Sequence, residues 1–488
     1  MTHSIIDALL RHIRSGIYPM HVPAHKQGRG SNTVSAAVIA QYLYKMDLTE
    51  VPGLDDLSEP SGCIQDTEAA AAALFSADRS FLLVNGATVG VEAAILAACP
   101  PGTRIAISGV VHKSAIAGIA LAGAEPVLLY TRLSSKYLMP LGVDPAEVER
   151  CLAQEKGIRA VLVTNPSYYG VCQDLEAIAS ICHKHGAILI VDEAHGGHLS
   201  FSSELPISGL HAGADIVIQS AHKTLGSLTQ TALMHVKGQR VDHDRLASCL
   251  RLLQTTSPSY ILMASLDSVI HRLSLEGESL VASAVANARE MRRVIRGLSG
   301  VSLLSPEDLE PVFSLDPTRI TVSAADRGIL GTELQERLRS RGYQVEFSDL
   351  LSTVAVTSYA DDDDDLRGFC SAIEDAIADA PSRSSIGEKL RSRVYPLMVR
   401  AAEEQATSAL SIRAAVLSHR REVLLEDSIG EVSADGVYPY PPGVPLLLPG
   451  QVITESVVDL IKELLAVGIS IRGIKMREGS PVCSIVDQ

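Results

Sequence analysis

A lysine directly after a buried apolar run is the residue in this chain whose surroundings most demand chemistry. Lys223 stands in Gln219-Ser220-Ala221-His222-Lys223-Thr224, behind Ile216-Val217-Ile218. A short apolar run bounded by polar residues reads as a buried strand, and open α/β sheets place their chemistry at strand ends. Burying an unpaired ammonium is costly. Lys223 therefore needs an ion-pair partner or a covalent Schiff base to an aldehyde cofactor. Upstream, AILIVDEAHGGH (187–198) is a second strand pattern ending in Asp192, with Ala194 and His195 just beyond.

The elements that must position these residues alternate. Phe81–Val84, Arg104–Ser108, Glu125–Tyr130 and Ala160–Thr164 read as strands, separated by helices at 65–77, Val91–Ala98, 144–155 and Leu175–His185. The alternation from 66 to 236 predicts a doubly wound, mostly parallel sheet. Between the first strand and its helix, Asn85-Gly86-Ala87-Thr88-Val89-Gly90 has the form of a phosphate cradle, since free N–H groups at a helix start attract an anion. His112 closes another strand. A helix at 246–253, the hydroxyl-rich loop Thr255–Tyr260 and a long helix at 264–298 follow. Shorter strands (311–314, 319–323, 353–357) and a helix at 332–341 then predict a smaller α+β domain. Asp361–Asp365 is uninterrupted acid without the alternating spacing of a calcium loop, and reads as the start of a helix at 366–379. A Ser-rich linker is expected at 381–388 and helices at 399–418 and 452–466. The latter flank Tyr438–Gly450, a proline-rich strap or site wall. Near the N-terminus, residues 3–16 form an amphipathic helix with Ile5, Ile6, Leu9, Leu10 and Ile13 on one face. A further helix is expected at 33–44. Tyr18–Gly28 and 47–63 read as solvated loops, with Asp55 and Asp56 as caps. Two His near Lys26 invite a metal, but no third ligand follows at a suitable spacing.

At 488 residues and 46% hydrophobic content the chain is a well-buried, multidomain protein. A net charge of −15 argues against nucleic acid as partner. Eight scattered cysteines without a CxxC pair disfavour a disulfide framework or zinc and fit a reducing cytoplasm. No apolar run is long enough to span a membrane, and the N-terminus lacks a signal-peptide core.

The strand-Asp-x-Ala-His and strand-Ser-x-His-Lys pair resembles the pyridoxal-phosphate enzymes of the aspartate-aminotransferase fold. More narrowly, HVPAHKQG (21–28), NGAT (85–88), VHKS (111–114), TNPSYYG (164–170), VDEAHGGH, SAHKTL (220–225), TTSPSY (255–260) and YPPGVPLLLPG (440–450) resemble, in order, the short-form bacterial ornithine/lysine/arginine decarboxylases. That resemblance implies fold type I: an α/β protein with a doubly wound, mostly parallel, seven-stranded-type large domain and smaller α+β C-terminal domains. The division is a segment at 1–60, a pyridoxal-phosphate-binding domain at 61–300, a small domain at 301–380 and a C-terminal domain at 381–488. It implies that Lys223 holds the aldehyde, Asp192 faces the ring nitrogen, His112 stacks on the ring, Ala194 packs on its opposite face and His195 lies nearby. Ala87, Thr88 and Val89 hold the phosphate with Ser220 and His222, and Thr256 or Ser257 of a partner subunit completes the cradle. The active unit is then a homodimer or higher homo-oligomer sharing its sites. The reaction implied is decarboxylation of arginine, lysine or ornithine, without metal, with transamination, aldol cleavage or a catalytically silent paralogue as alternatives.

Three positions depart from the family's pattern: Ala24 stands for the usual Gly, Ala87 for Thr and Gln451 for Glu. Arg319 is a candidate carboxylate partner for a transaminase. The distal pocket can be lined from the N-terminal loop, Asp55/Asp56, Glu346 or a partner subunit. The absence of a receiver-like N-terminal domain favours a biosynthetic, polyamine-forming role.

Overall fold

The computed structural model describes residues 5–31, 33–309, 312–378, 380, 386–404, 406–440 and 443–487. Seven strands form the main sheet: β1 (Arg79–Leu83), β2 (Arg104–Ser108), β3 (Glu125–Leu129), β4 (Ile158–Thr164), β5 (Ile188–Asp192), β6 (Ile216–Gln219) and β7 (Ala232–Val236), in the order β1-β7-β6-β5-β4-β2-β3. Only β7 runs against the others. Both faces are covered, so the central strands are apolar throughout rather than alternating. Their residues still divide by face. Val161, Val163, Leu189, Val191 and Val217 join one core, while Ala160, Leu162, Ile188, Ile190, Ile216 and Ile218 join the other.

On the second face, α4 (Gly86–Ala98) lies against β6 so closely that a Cβ on Gly90 would come within 2.7 Å of Leu83 and 2.9 Å of Ile218. The helix starts earlier than its sequence predicts. Gly86 turns at φ +75°, a conformation open to glycine, so Ala87, Thr88 and Val89 lie in the first helical turn rather than in a loop.

The 37-residue helix Tyr260–Arg296 ties the two halves together. Met263, Leu266, Ile270 and Leu273 pack into the core of the main sheet, and Met291 and Ile295 into a second core. That second core lies under β8 (Ser302–Leu303), β9 (Arg319–Ser323), β10 (Phe347–Ser348) and β11 (Ser352–Val356), ordered β8-β9-β11-β10. The N-terminal segment joins it through a strand, Tyr18–Met20, parallel to Tyr343–Val345.

Near the C-terminus the expected boundaries fail. Residues 381–385 of the expected linker lie outside the described residues, and 386–388 are already helix. One helix runs Ile386–Glu404 through Pro396 and packs on Glu455–Ala466. A separate short helix, Ile412–Leu417, begins where the Ser411 side chain accepts the Ala414 amide. The capping hydroxyl, rather than an apolar period, sets that break. The strand expected at 311–314 is Ser314–Leu315, residues 310–311 lying outside the described set as do 441–442 of the proline-rich stretch. Among the described residues no helix is long and apolar enough to cross a membrane.

Candidate active site

The carboxyl ends of β1, β2, β4, β5 and β6 share one edge, and the residues singled out by sequence gather there. Asp192 ends β5 in register with Thr164 and Ile218 and is 4% exposed. Its Oδ1 accepts the Ala194 amide at 3.2 Å, which sets the small Ala194 side chain directly beyond it. Two residues after β6, a single helical turn (Ala221–Thr224) carries Lys223.

Lys223 Nζ lies 3.0 Å from His195 Nε2, and His195 Nδ1 lies 3.0 Å from Arg319 Nη2. Arg319, the first residue of β9, is 1% exposed, and its Nε and Nη1 are buried without a hydrogen-bond partner. Its stem passes through a gap at Gly170, where a Cβ would stand 2.6 Å from the Arg319 Cβ. Tyr168 meets the His195 ring edge-on at 5.2 Å. Burial lowers the Lys223 pKa, opposed by the charges of Asp192 and Glu346 and assisted by Arg319. Burial, with Lys223, Arg319, His112 and His222 around it, drives the His195 pKa well below its ordinary value.

His112 precedes α5 (Lys113–Ala122) as its cap: Nδ1 accepts the Ser114 amide at 3.3 Å and pairs with the Ser114 hydroxyl at 2.8 Å. It senses both Asp192 and Lys223, and burial lowers its pKa. His222 donates Nδ1–H to the Thr231 carbonyl at 2.9 Å, and Ser220 starts its turn without spending its hydroxyl on a cap. Asn85 stands at the cap position of α4, yet its Oδ1 accepts the Thr255 amide at 3.1 Å, so no side chain caps the first N–H groups of that helix. Thr256 and Ser257 follow at the surface, exposed.

Sequence reasoning placed Lys26 in a solvated loop, and the structure corrects this. Lys26 is fully buried, its Nζ donating to the carbonyls of Pro19 (2.7 Å) and Val356 (2.8 Å). The loop around it touches the site: the Ala24 amide donates to the His222 carbonyl at 3.1 Å, and the Val22 amide to Glu346 Oε2 at 2.8 Å. The acidic stretch is likewise more than a helix start. Asp361 pairs with Lys26 at 3.7 Å, and Asp362 and Asp365 both bind Arg29. Asp55, by contrast, does cap, its Oδ2 accepting the amides of Gly62 (2.8 Å) and Ile64 (2.9 Å) at the start of α3 (Cys63–Phe75). The next acid, Glu193, is walled in, accepting from the Gly209 amide and the Gln219 side chain, its pKa pushed up to about 8 by burial. It braces the strand ends rather than facing the site. Gln451 is also internal, accepting the Leu448 amide and donating to the Ala406 carbonyl.

Residues 4–313 match the model of the Orn/Lys/Arg decarboxylase major domain and residues 392–474 that of the Orn/Lys/Arg decarboxylase C-terminal domain. The chain is 32% identical to the arginine decarboxylase of Bacillus anthracis over 96% of its length and 94% of that protein's. It is 23% identical to the constitutive lysine decarboxylase of Escherichia coli, over 96% of this chain and 78% of that one. In fold it is similar to the lysine decarboxylase of Francisella novicida, with a TM-score of 0.79 at 19% identity, covering 95% of this chain and 78% of that chain. It is also similar to serine palmitoyltransferase of Sphingomonas wittichii, with a TM-score of 0.57 at 17% identity, covering 75% and 88%.

Proposed function

The chain belongs to the Orn/Lys/Arg decarboxylase family and is an amino acid decarboxylase acting on a basic amino acid; from that premise we propose that its substrate is arginine and its cofactor pyridoxal phosphate, held by Lys223 in a cytoplasmic homodimer. The observation that carries this reading is the placement of one desolvated lysine amine, 3.0 Å from His195 and within the field of Asp192, at a strand edge. The preference for arginine rests on the relatives: those at 32–33% identity are named arginine decarboxylase, those at 22–23% lysine decarboxylase.

The residues present fit the cofactor. An uncapped helix start at Ala87–Val89 suits its phosphate. Asp192 suits a protonated ring nitrogen, and the small side chain of Ala194 leaves room for a flat ring. His112 closes the other face. Arg319, with two unpartnered buried nitrogens, has donors to spare for an anion. Bound there, pyridoxal phosphate supplies an aldehyde that condenses with amines and a ring that accepts the electrons left when carbon dioxide departs.

The chain's own residues then have separable tasks. Lys223, kept toward the free amine by burial, is the nucleophile and later a proton carrier. Asp192 would supply the negative charge that holds a proton on the ring nitrogen. Ser220 and His222, together with Thr88, would hold the phosphate. Glu346, whose Oε2 is held by the Val22 amide, is the acid suited to the distal cation of the substrate. Surface chemistry supports a shared site. Ile5, Ile6, Leu9 and Ile13 of α1 (Ile5–Arg14) are 58–80% exposed, as apolar faces awaiting a second copy are. Thr256 and Ser257 lie exposed beside Asn85, ready to meet that copy's cradle.

Purified protein supplied with pyridoxal phosphate and, separately, arginine, lysine and ornithine tests the reading. We expect carbon dioxide and the matching amine, fastest from arginine. Turnover of lysine or ornithine alone would overturn the choice of arginine. Keto-acid or aldehyde products in place of carbon dioxide would mean transamination or aldol cleavage. A bound chromophore without turnover on any of the three would mean a silent paralogue.

A further inference from the structure

We infer that Arg319 is a positioning residue that fixes the tautomer of His195, so that His195 donates Nε2–H to Lys223 Nζ and keeps that nitrogen an acceptor. The inference rests on the reading of Lys223 as the cofactor lysine.

A guanidinium carries five N–H donors and no acceptor. With Arg319 Nη2 at 3.0 Å from His195 Nδ1, that ring nitrogen must present its lone pair. A neutral imidazole then carries its hydrogen on Nε2. Nε2 faces Lys223 Nζ at 3.0 Å, and an N–H pointed at nitrogen is a hydrogen bond only if that nitrogen has a lone pair. An alkylammonium has none, whereas the free amine does. The chain Arg319–His195–Lys223 is therefore satisfied in one protonation state, the one in which Lys223 can add to a carbonyl. Protonating His195 would turn Nδ1–H against the guanidinium; protonating Lys223 would turn its hydrogens against Nε2–H.

The parts are held to this arrangement. Arg319 Nη2 also reaches the His195 carbonyl at 3.4 Å, Tyr168 braces the ring, and Gly170 leaves space for the arginine stem. The titratable groups around Arg319 are Asp316, Glu346 and Cys172; those around Lys223 are Asp192, Glu346 and Arg319; and those around His195 are Lys223, Arg319, His112 and His222. Burial and the surrounding cations disfavour a charged His195 and a charged Lys223 together.

Spectra of the full chain free of cofactor, with ¹⁵N-labelled histidine, test the tautomer directly, the His195 signal being the one absent from His195→Gln. We expect Nε2–H; an Nδ1–H or averaged signal would overturn the inference without need of any Arg319 variant. The second arm follows the rate of pyridoxal-phosphate uptake by absorbance against pH. Arg319→Gln should raise the midpoint by about one unit and slow uptake about tenfold below it, and Arg319→Lys, which keeps a donor and the charge, should recover most of the loss. In a His195→Phe background the Arg319→Gln shift should vanish. If it persists, Arg319 acts on Lys223 by charge alone and the inference is wrong. Failure of the wild type to take up the aldehyde at all would instead defeat the reading of Lys223, leaving the tautomer result standing.

Discussion

The fully buried ammonium of Lys26 stands 3.7 Å from the equally buried carboxylate of Asp361, fastening the N-terminal segment to the stretch that leads into the helix Asp363–Ala378. Asp361 also accepts Tyr18 Oη at 2.7 Å and the Ser358 amide at 2.6 Å. Removing one partner of such a pair strands the other charge, at a cost of about 3–5 kcal/mol. Lys26→Met should lower unfolding stability by that order, measured by denaturant titration. Activity should fall with it, because the same segment holds the His222 carbonyl through Ala24. A loss below about 1 kcal/mol, the range of an exposed ion pair, would mean the contact is ornamental.

For the reacting centre, Lys223→Ala should leave far-ultraviolet circular dichroism unchanged, abolish any cofactor absorption that borohydride can fix to the chain, and cut decarboxylation at least about a thousandfold. Asp192→Asn keeps an acceptor for the Ala194 amide but removes the charge, so it should bind cofactor and still lose about a hundredfold in rate. Full activity in either variant would remove these residues from the chemistry.

How much of this was legible in the chain differs from residue to residue. The main sheet was, because its central strands are short apolar runs ending in polar residues: Ile188–Asp192 and Ile216–Gln219 match the expected strands. Asp192, His195 and Lys223 share an edge because parallel strands must end together. Lys26 was illegible, since a lysine among prolines and glycines looks solvated until carbonyls from Pro19 and Val356 are seen to enclose it. The link from Arg319 to His195 was equally hidden. It spans over a hundred positions and depends on a missing Cβ at Gly170. The helix Ile386–Glu404 escaped because Pro396 interrupts its pattern without ending it.

Glu68 offers a pH test. It is buried at the edge of the main sheet, its Oε1 accepting the Leu82 amide at 3.1 Å, and burial raises its pKa from 4.5 to about 7. The folded chain therefore holds this proton more tightly than the unfolded one. Its contribution is complete below pH 4.5, declines as the pH rises from 4.5 to about 7, and is lost above. Glu68→Gln keeps the acceptor for Leu82 and removes the titration. The variant should therefore gain on the wild type by roughly 1–3 kcal/mol at pH 8 and show no such gain at pH 4. Parallel stability curves for the two proteins would show that the group does not titrate in this window.

The exposed face of α1 sets the last prediction. Ile6 and Leu9 are 69% and 58% exposed on a helix that buries none of its residues. Leaving several large aliphatic side chains in water forgoes about 1.5–3 kcal/mol each, a driving force that a second copy would satisfy. The α2 helix (Val34–Met46) adds Val34 and Tyr44, 83% and 92% exposed, to the same account. We expect the wild type to sediment as a dimer and the double variant Ile6→Glu, Leu9→Glu as a monomer at the same concentration; a monomeric wild type would overturn the reading of this face. The variant should also lose decarboxylation in step with dissociation, since the cradle at Ala87–Val89 would lack the hydroxyls of a partner's Thr256–Ser257 loop. Cofactor affinity separates the two consequences: a monomer that still binds pyridoxal phosphate as tightly as the wild type would show that the partner's loop has no part in holding the phosphate.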